Sequence, residues 1–216
     1  MYNYLVLATM MVIMMMTLSV TEGQLYLSIS SQGVEEFILP DYCFGMEKWV
    51  VRNNVAEKRV YDFSDCDVYL HSDNYKIGQD YNGTTYSVAN IDNVVFPSNS
   101  FWWVNYDNTW GKCNQTILTT GYYSTGKCVV FDVQKPQQGY GIYSCSKNKD
   151  NAEAEQYGSD STCSSSPTGG KNFPYASYCG ARYINQRQGC DSPGKNGPYI
   201  DDGSSSDNNS SSNDDQ

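Results

Sequence analysis

The chain has one histidine in 216 residues, and no C-x-x-C, G-x-S-x-G, H-E-x-x-H, P-loop or dinucleotide fingerprint. Zinc sites need closely spaced Cys and His ligands, and the motif-carrying hydrolases and nucleotide enzymes need those fingerprints. The sequence therefore predicts no metal, no cofactor and no catalytic residue. Positive charge is also scarce, with 14 Lys and Arg against 24 Asp and Glu. An acidic chain gains no counterion-release affinity from DNA or RNA, so no nucleic-acid partner is expected. Helix signals are few: "VAEKR" at 55–59 and "KDNAEAEQ" at 149–156 are the two candidates, each a turn or two long.

No charged side chain precedes Glu22, and from Leu5 to Val20 the chain reads "LVLATMMVIMMMTLSV". That run is shorter than the roughly 20 apolar residues of a spanning helix and falls near the upper limit of a secretory h-region. Residues 1–23 read as a signal peptide, with Thr21 and Gly23 small enough for positions −3 and −1 of a cleavage site. The alternative is an uncleaved anchor, because no Lys or Arg precedes the apolar run. No second apolar run follows, so no membrane span is expected in the mature chain, which is read as secreted and extracellular.

Cysteine usage agrees with export. Cys43, Cys66, Cys113, Cys128, Cys145, Cys163, Cys179 and Cys190 all lie beyond the signal and are even in number. In an oxidising compartment they imply up to four disulfides, with about 105 full pairings open. Asn82, Asn114, Asn208 and Asn209 begin N-x-[ST] triplets and are candidate glycosylation acceptors.

The mature chain divides by composition. Residues 24–200 form one folded unit of ordinary domain size, in which 145–200 is dense in Ser, Gly, Pro and Cys and looks loop-like and disulfide-stapled. Residues 201–216, "DDGSSSDNNSSSNDDQ", carry no aliphatic or aromatic side chain, so they read as a disordered acidic tail. Five of the formal −10 charges sit on that tail.

Before residue 145 the pattern is one of strands. "QLYLSIS" at 24–30 alternates Leu25, Leu27 and Ile29 with Tyr26, Ser28 and Ser30, the period-two mark of a half-buried strand. Similar bursts follow in "EEFIL", "KWVV", "CDVYLHS", "TTYSVA", "NVVF", "FWWVNYD", "QTILTT", "CVVFDV" and "GYGIYSC". Many short strands between turn residues predict an all-β domain, an antiparallel β-sandwich or barrel. A two-residue loop at Thr120-Gly121 would set Cys113 opposite Cys128, within disulfide reach. "YGSDSTC" at 157–163 faintly echoes "YDFSDC" at 61–66.

Three of the four tryptophans lie in "SFWWVNYDNTWGKC", two of them adjacent. Adjacent strand residues point to opposite faces, so one core cannot take both. The expectation is that Trp102, Val104 and Tyr106 enter the sandwich core, with Phe101 and Trp103 on the other face under the Cys-rich segment. Functionally, Trp102, Trp103, Tyr106, Asp107 and Trp110 combine flat apolar rings with hydrogen-bonding groups. Such a surface suits a sugar ring or another protein's side chain. The sequence thus predicts a non-catalytic binding or adhesion module for an extracellular glycan or protein. Two alternatives are a carbohydrate-active hydrolase using two of Glu35, Glu36, Asp62, Asp65 and Asp67, and a structural matrix protein. His71 with Asp67 would supply half of a triad, without a distinguishable serine.

Overall fold

A computed structural model describes residues 23–107, 116–134, 136–146, 151–174, 178–181 and 184–190. Residues 1–22 of the expected signal peptide, the expected tail at 201–216, Trp110, Cys113, Asn114, Asn208 and Asn209 lie outside them. The described chain is almost all β, and its sheets are antiparallel. The first eight strands are β1 (Leu25–Ser31), β2 (Val34–Ile38), β3 (Cys43–Phe44), β4 (Glu47–Arg52), β5 (Val55–Tyr61), β6 (Tyr69–Lys76), β7 (Asp80–Tyr81) and β8 (Thr84–Asn90). The next eight are β9 (Ser100–Tyr106), β10 (Ile117–Ser124), β11 (Cys128–Val130), β12 (Tyr140–Cys145), β13 (Asn151–Gly158), β14 (Gly169–Pro174), β15 (Tyr178–Ala181) and β16 (Ile184–Cys190). Among the described residues no helix is long and apolar enough to cross a membrane.

The sheet orders reveal an internal duplication. An eight-stranded sheet runs β15-β16-β9-β10-β2-β1-β8-β7, and two four-stranded sheets run β3-β4-β5-β6 and β11-β12-β13-β14. Each half of the chain thus contributes the same arrangement, and the halves join where β2 pairs with β10. In that junction Glu36 pairs with Gly121 and Ile38 with Thr119. Following the ladders outward from the β7–β8 and β15–β16 turns makes Glu36 the counterpart of Thr119, and Ile38 that of Gly121. The two pairs therefore exchange under a pseudo-two-fold axis through the Phe37–Thr120 pair.

The faint "YDFSDC" echo is part of this duplication. Tyr61 and Tyr157 occupy corresponding positions near the ends of β5 and β13, and both are buried. The turns that follow close when the Cys66 N–H donates to Phe63 O and the Cys163 N–H to Asp160 O. Both cysteines have positive φ, and their disulfides run to Cys43 at the start of β3 and Cys128 at the start of β11.

The third described disulfide, Cys145–Cys190, ties the end of β12 to the end of β16 and so joins the two layers of the second half. Cys128 is bonded to Cys163, so the Cys113–Cys128 pairing is wrong. Its premise fails too, because Thr120 and Gly121 lie within β10, paired with β9 on one side and β2 on the other. The broader expectation that cysteines staple the C-terminal segment holds.

Both helix candidates are strands. "VAEKR" opens β5 and "KDNAEAEQ" supplies most of β13, where Ala152 and Ala154 point inward and Glu153 and Glu155 outward. Ala and Glu favour helices by propensity, yet their order here has period two, and tertiary burial of the alanines decides. Ala56 and Ala152, at corresponding places, are both fully buried. "NVVF" is no strand: its Asn93 ends a short 3-10 turn at Ile91–Asn93, and Val94 caps that turn. Ile91 packs there with Tyr26 and Phe37, with Val94 against them, covering the outer face of the large sheet. Four strands, β13 to β16, run through the stretch that composition marks as loop-like.

One core lies between the large sheet and the two smaller ones. Leu27, Ile29, Val34, Ile38, Trp49 and Tyr86 from the first half continue into Phe101, Val129, Tyr143, Ala152 and Ala154 from the second.

Candidate functional site

The adjacent tryptophans resolve in the opposite sense to the expectation. Phe101 and Trp103 face the inner core and the second small sheet, whereas Trp102, Val104 and Tyr106 turn to the outer face and cluster with Ile117. The reason is the duplication. Phe101 and Trp103 stand where Leu25 and Leu27 stand in the first half, and Trp102 stands where Tyr26 stands.

Each tryptophan rests on a cross-strand glycine. Trp103 pairs with Gly121 on β10, where an added Cβ would come within 2.7 Å of the indole ring. Trp102 pairs with Gly189 on β16, again 2.7 Å from a Cβ built there. A strand glycine permits such close approach because it has no side chain of its own. The Trp103 indole therefore lies against the sheet.

Beside Trp103 is a cavity of about 490 Å³ between the layers of the second half. Its aromatic wall is made by Phe101, Trp103, Tyr123, Phe131 and Tyr143, with Phe44 reaching across from the first half. Trp103 and Tyr123 stack at 4.9 Å, Tyr123 and Tyr143 at 4.0 Å. Burial pushes both phenols above their usual range, so they stay neutral in water. Tyr143 Oη donates to Phe131 O at 2.9 Å, which fixes the wall.

The polar lining is mostly amide. Asn105 and Gln186 are directly paired across β9 and β16, and Gln188 is paired with Trp103. Asn105 Nδ2 donates to Thr119 Oγ1 at 2.7 Å, which holds that amide in place. Gln138, Asp132 and Lys171 complete the rim, with one acid and one base between them.

Of the residues that sequence reasoning selected, Trp103 lines this cavity. Trp102 and Tyr106 belong to the opposite face, and Asp107 at the strand end accepts a hydrogen bond from Tyr42 Oη at 3.1 Å. Sequence reasoning missed Asn105, Gln186 and Gln188. Their signal is alternation: Asn105 is two residues beyond Trp103, and "QRQ" repeats the spacing.

The five candidate acids do not share a cleft. Glu35 faces outward and accepts from Ser28 Oγ and Tyr122 Oη, at 2.7 and 3.1 Å. Glu36 faces inward, is buried, and accepts from Gln134 Nε2 at 2.8 Å. Asp62, Asp65 and Asp67 are exposed between β5 and β6, and His71 is exposed on β6. Around the Cys43–Cys66 disulfide, Phe44, Met46, Phe63 and Val68 are exposed apolar side chains. Asn82, an acceptor candidate, is exposed at the tip of the β7–β8 turn, where Asn82 and Gly83 both take positive φ. The chain matches no family model, no curated protein and no solved structure.

Proposed function

We propose that this protein is a non-catalytic binding module of the extracellular space, and that the cavity beside Trp103 is its ligand site. The observation that carries the reading is the seat of Trp103: a half-buried indole backed by Gly121 and stacked on Tyr123, with its remaining surface on a cavity. A tryptophan fully covered by protein would bury roughly 150 to 250 Å², so leaving one beside open space forfeits stability that a ligand can recover. The cavity volume falls within the range of about 300 to 1,000 Å³ usual for ligand pockets, and aromatic walls with a few fixed polar groups are their usual lining. Three intramolecular disulfides are consistent with work outside the cell.

Tryptophan fluorescence of the oxidised, secreted protein tests this. Titration with soluble polysaccharides and extracellular-matrix peptides is expected to give a saturable shift that Trp103→Ala abolishes. An unchanged spectrum across both panels, with a folded protein, would rule out the cavity as a ligand site.

A further inference from the structure

The duplicated fold contains its own comparison. At the places taken by Trp103, Asn105, Gln186 and Tyr143 in the second half, the first half has Leu27, Ile29, Tyr86 and Trp49. There the space is filled: all four are buried, and Tyr86 stacks on Tyr75 at 4.3 Å. Strand order and pairing register correspond in the two halves, so the topology alone does not produce the opening. Within that shared topology, an isoleucine and a tyrosine position of the filled half carry two amides in the open one. An amide facing an inter-sheet space brings donors and an acceptor that need partners: Asn105 donates to Thr119 at 2.7 Å and Gln186 to Gln188 at 3.4 Å.

Resting on the binding reading above, we propose that the second half is a neutral-saccharide site, with a sugar ring packed against the part of Trp103 that lines the cavity and its hydroxyls bonded by Asn105, Gln186 and Gln188. The first half is the closed copy that braces it. A pyranose offers an apolar C–H face and a rim of hydroxyls, each both donor and acceptor. An indole face and amide side chains, which also donate and accept, complement the two. A polyanionic glycan is disfavoured, since among the described lining residues Lys171 is the one cation and Asp132 offsets it. A peptide bound by strand addition needs a free strand edge, whereas β9 and β10, which form the floor, are paired on both sides.

The test uses the oxidised full-length protein and three probe panels: neutral oligosaccharides of glucose, mannose, xylose and N-acetylglucosamine; heparin and polygalacturonate; and proline-rich and aromatic peptides. The variants are Trp103→Ala, Gln188→Ala and the closing pair Asn105→Ile with Gln186→Tyr, which copies the first half. The expected result is saturable binding of at least one neutral oligosaccharide, weakened about 30-fold or more in Trp103→Ala. It is lost in the closing pair, whose melting temperature does not fall. Gln188→Ala, a milder change, weakens binding in the same series and guards against a closing pair that misfolds. Binding confined to the anionic or peptide panel, with the same variant losses, would overturn the saccharide assignment and leave the cavity as the ligand site. No binding from any panel to the folded protein would overturn both.

Discussion

Glu36 sits at the junction of the two halves with its side chain in the core, and burial raises its carboxyl to about 7. The Gln134 hydrogen bond and Lys58 pull the other way, and Asp132 and Glu47 add to the rise. In the unfolded chain a glutamate titrates near 4.3. Between those values the unfolded state releases a proton that the folded state keeps, so stability falls as pH rises through the window. Each pH unit there costs about 1.4 kcal/mol, and the loss reaches about 3 kcal/mol by neutral pH. Glu36→Gln keeps the shape and an acceptor for Gln134 but removes the titration. Urea unfolding of both proteins, disulfides intact, in steps from pH 4 to 8 measures the difference. The variant is expected to match the wild type near pH 4 and to exceed it by up to about 3 kcal/mol at pH 8. At about 2 to 4 °C per kcal/mol, that corresponds to roughly 6 to 12 °C in Tm. Parallel stability curves across the whole range would refute the reasoning.

Gly121→Ala places a methyl against the Trp103 ring and the Glu35 carbonyl, so it is expected to cost about 1 to 3 kcal/mol and to shift tryptophan emission. An unchanged melt and spectrum would show that the indole does not rest there. Removing Cys43 and Cys66 together opens a loop with a sequence separation of 23 residues and is expected to cost about 3 kcal/mol in chemical unfolding. Unreduced peptide mapping is expected to find Cys128 with Cys163 and Cys145 with Cys190. The two cysteines outside the described pairs, Cys113 and Cys179, are then expected as the remaining linked peptide. Asn82 in its exposed turn is expected to carry a glycan in secretory expression, read as a mobility shift lost in Asn82→Gln.

The strand pattern was legible wherever large apolar residues alternate with polar ones, as in β1, β8 and β9. It was hidden where the inward residue is alanine, because β5 and β13 then look like helix by composition. The duplication left little trace in the sequence because its two copies share positions rather than residue types. Leu27 answers Trp103 and Tyr86 answers Gln186, and the letters kept are few and scattered: the Tyr-to-Cys turns, Cys43 with Cys128, and Ala56 with Ala152. The site followed the same rule. Trp103 was visible as one of a pair, but which face it took depended on a partner layer far along the chain. Gln186 and Gln188 lay in a stretch whose Ser, Gly and Cys content concealed its alternation.

The proposed saccharide site opens in the second half only, beside a filled first half. Heteronuclear NMR of the labelled, oxidised protein, titrated with a neutral oligosaccharide that binds, tests it directly. Concentration-dependent shifts are expected for the Trp103 indole N–H and the Asn105, Gln186 and Gln188 side-chain amides, with the backbone amides of Leu27, Ile29 and Tyr86 unmoved. Shifts confined to the exposed apolar side chains around Cys43–Cys66, or to the first half, would contradict it.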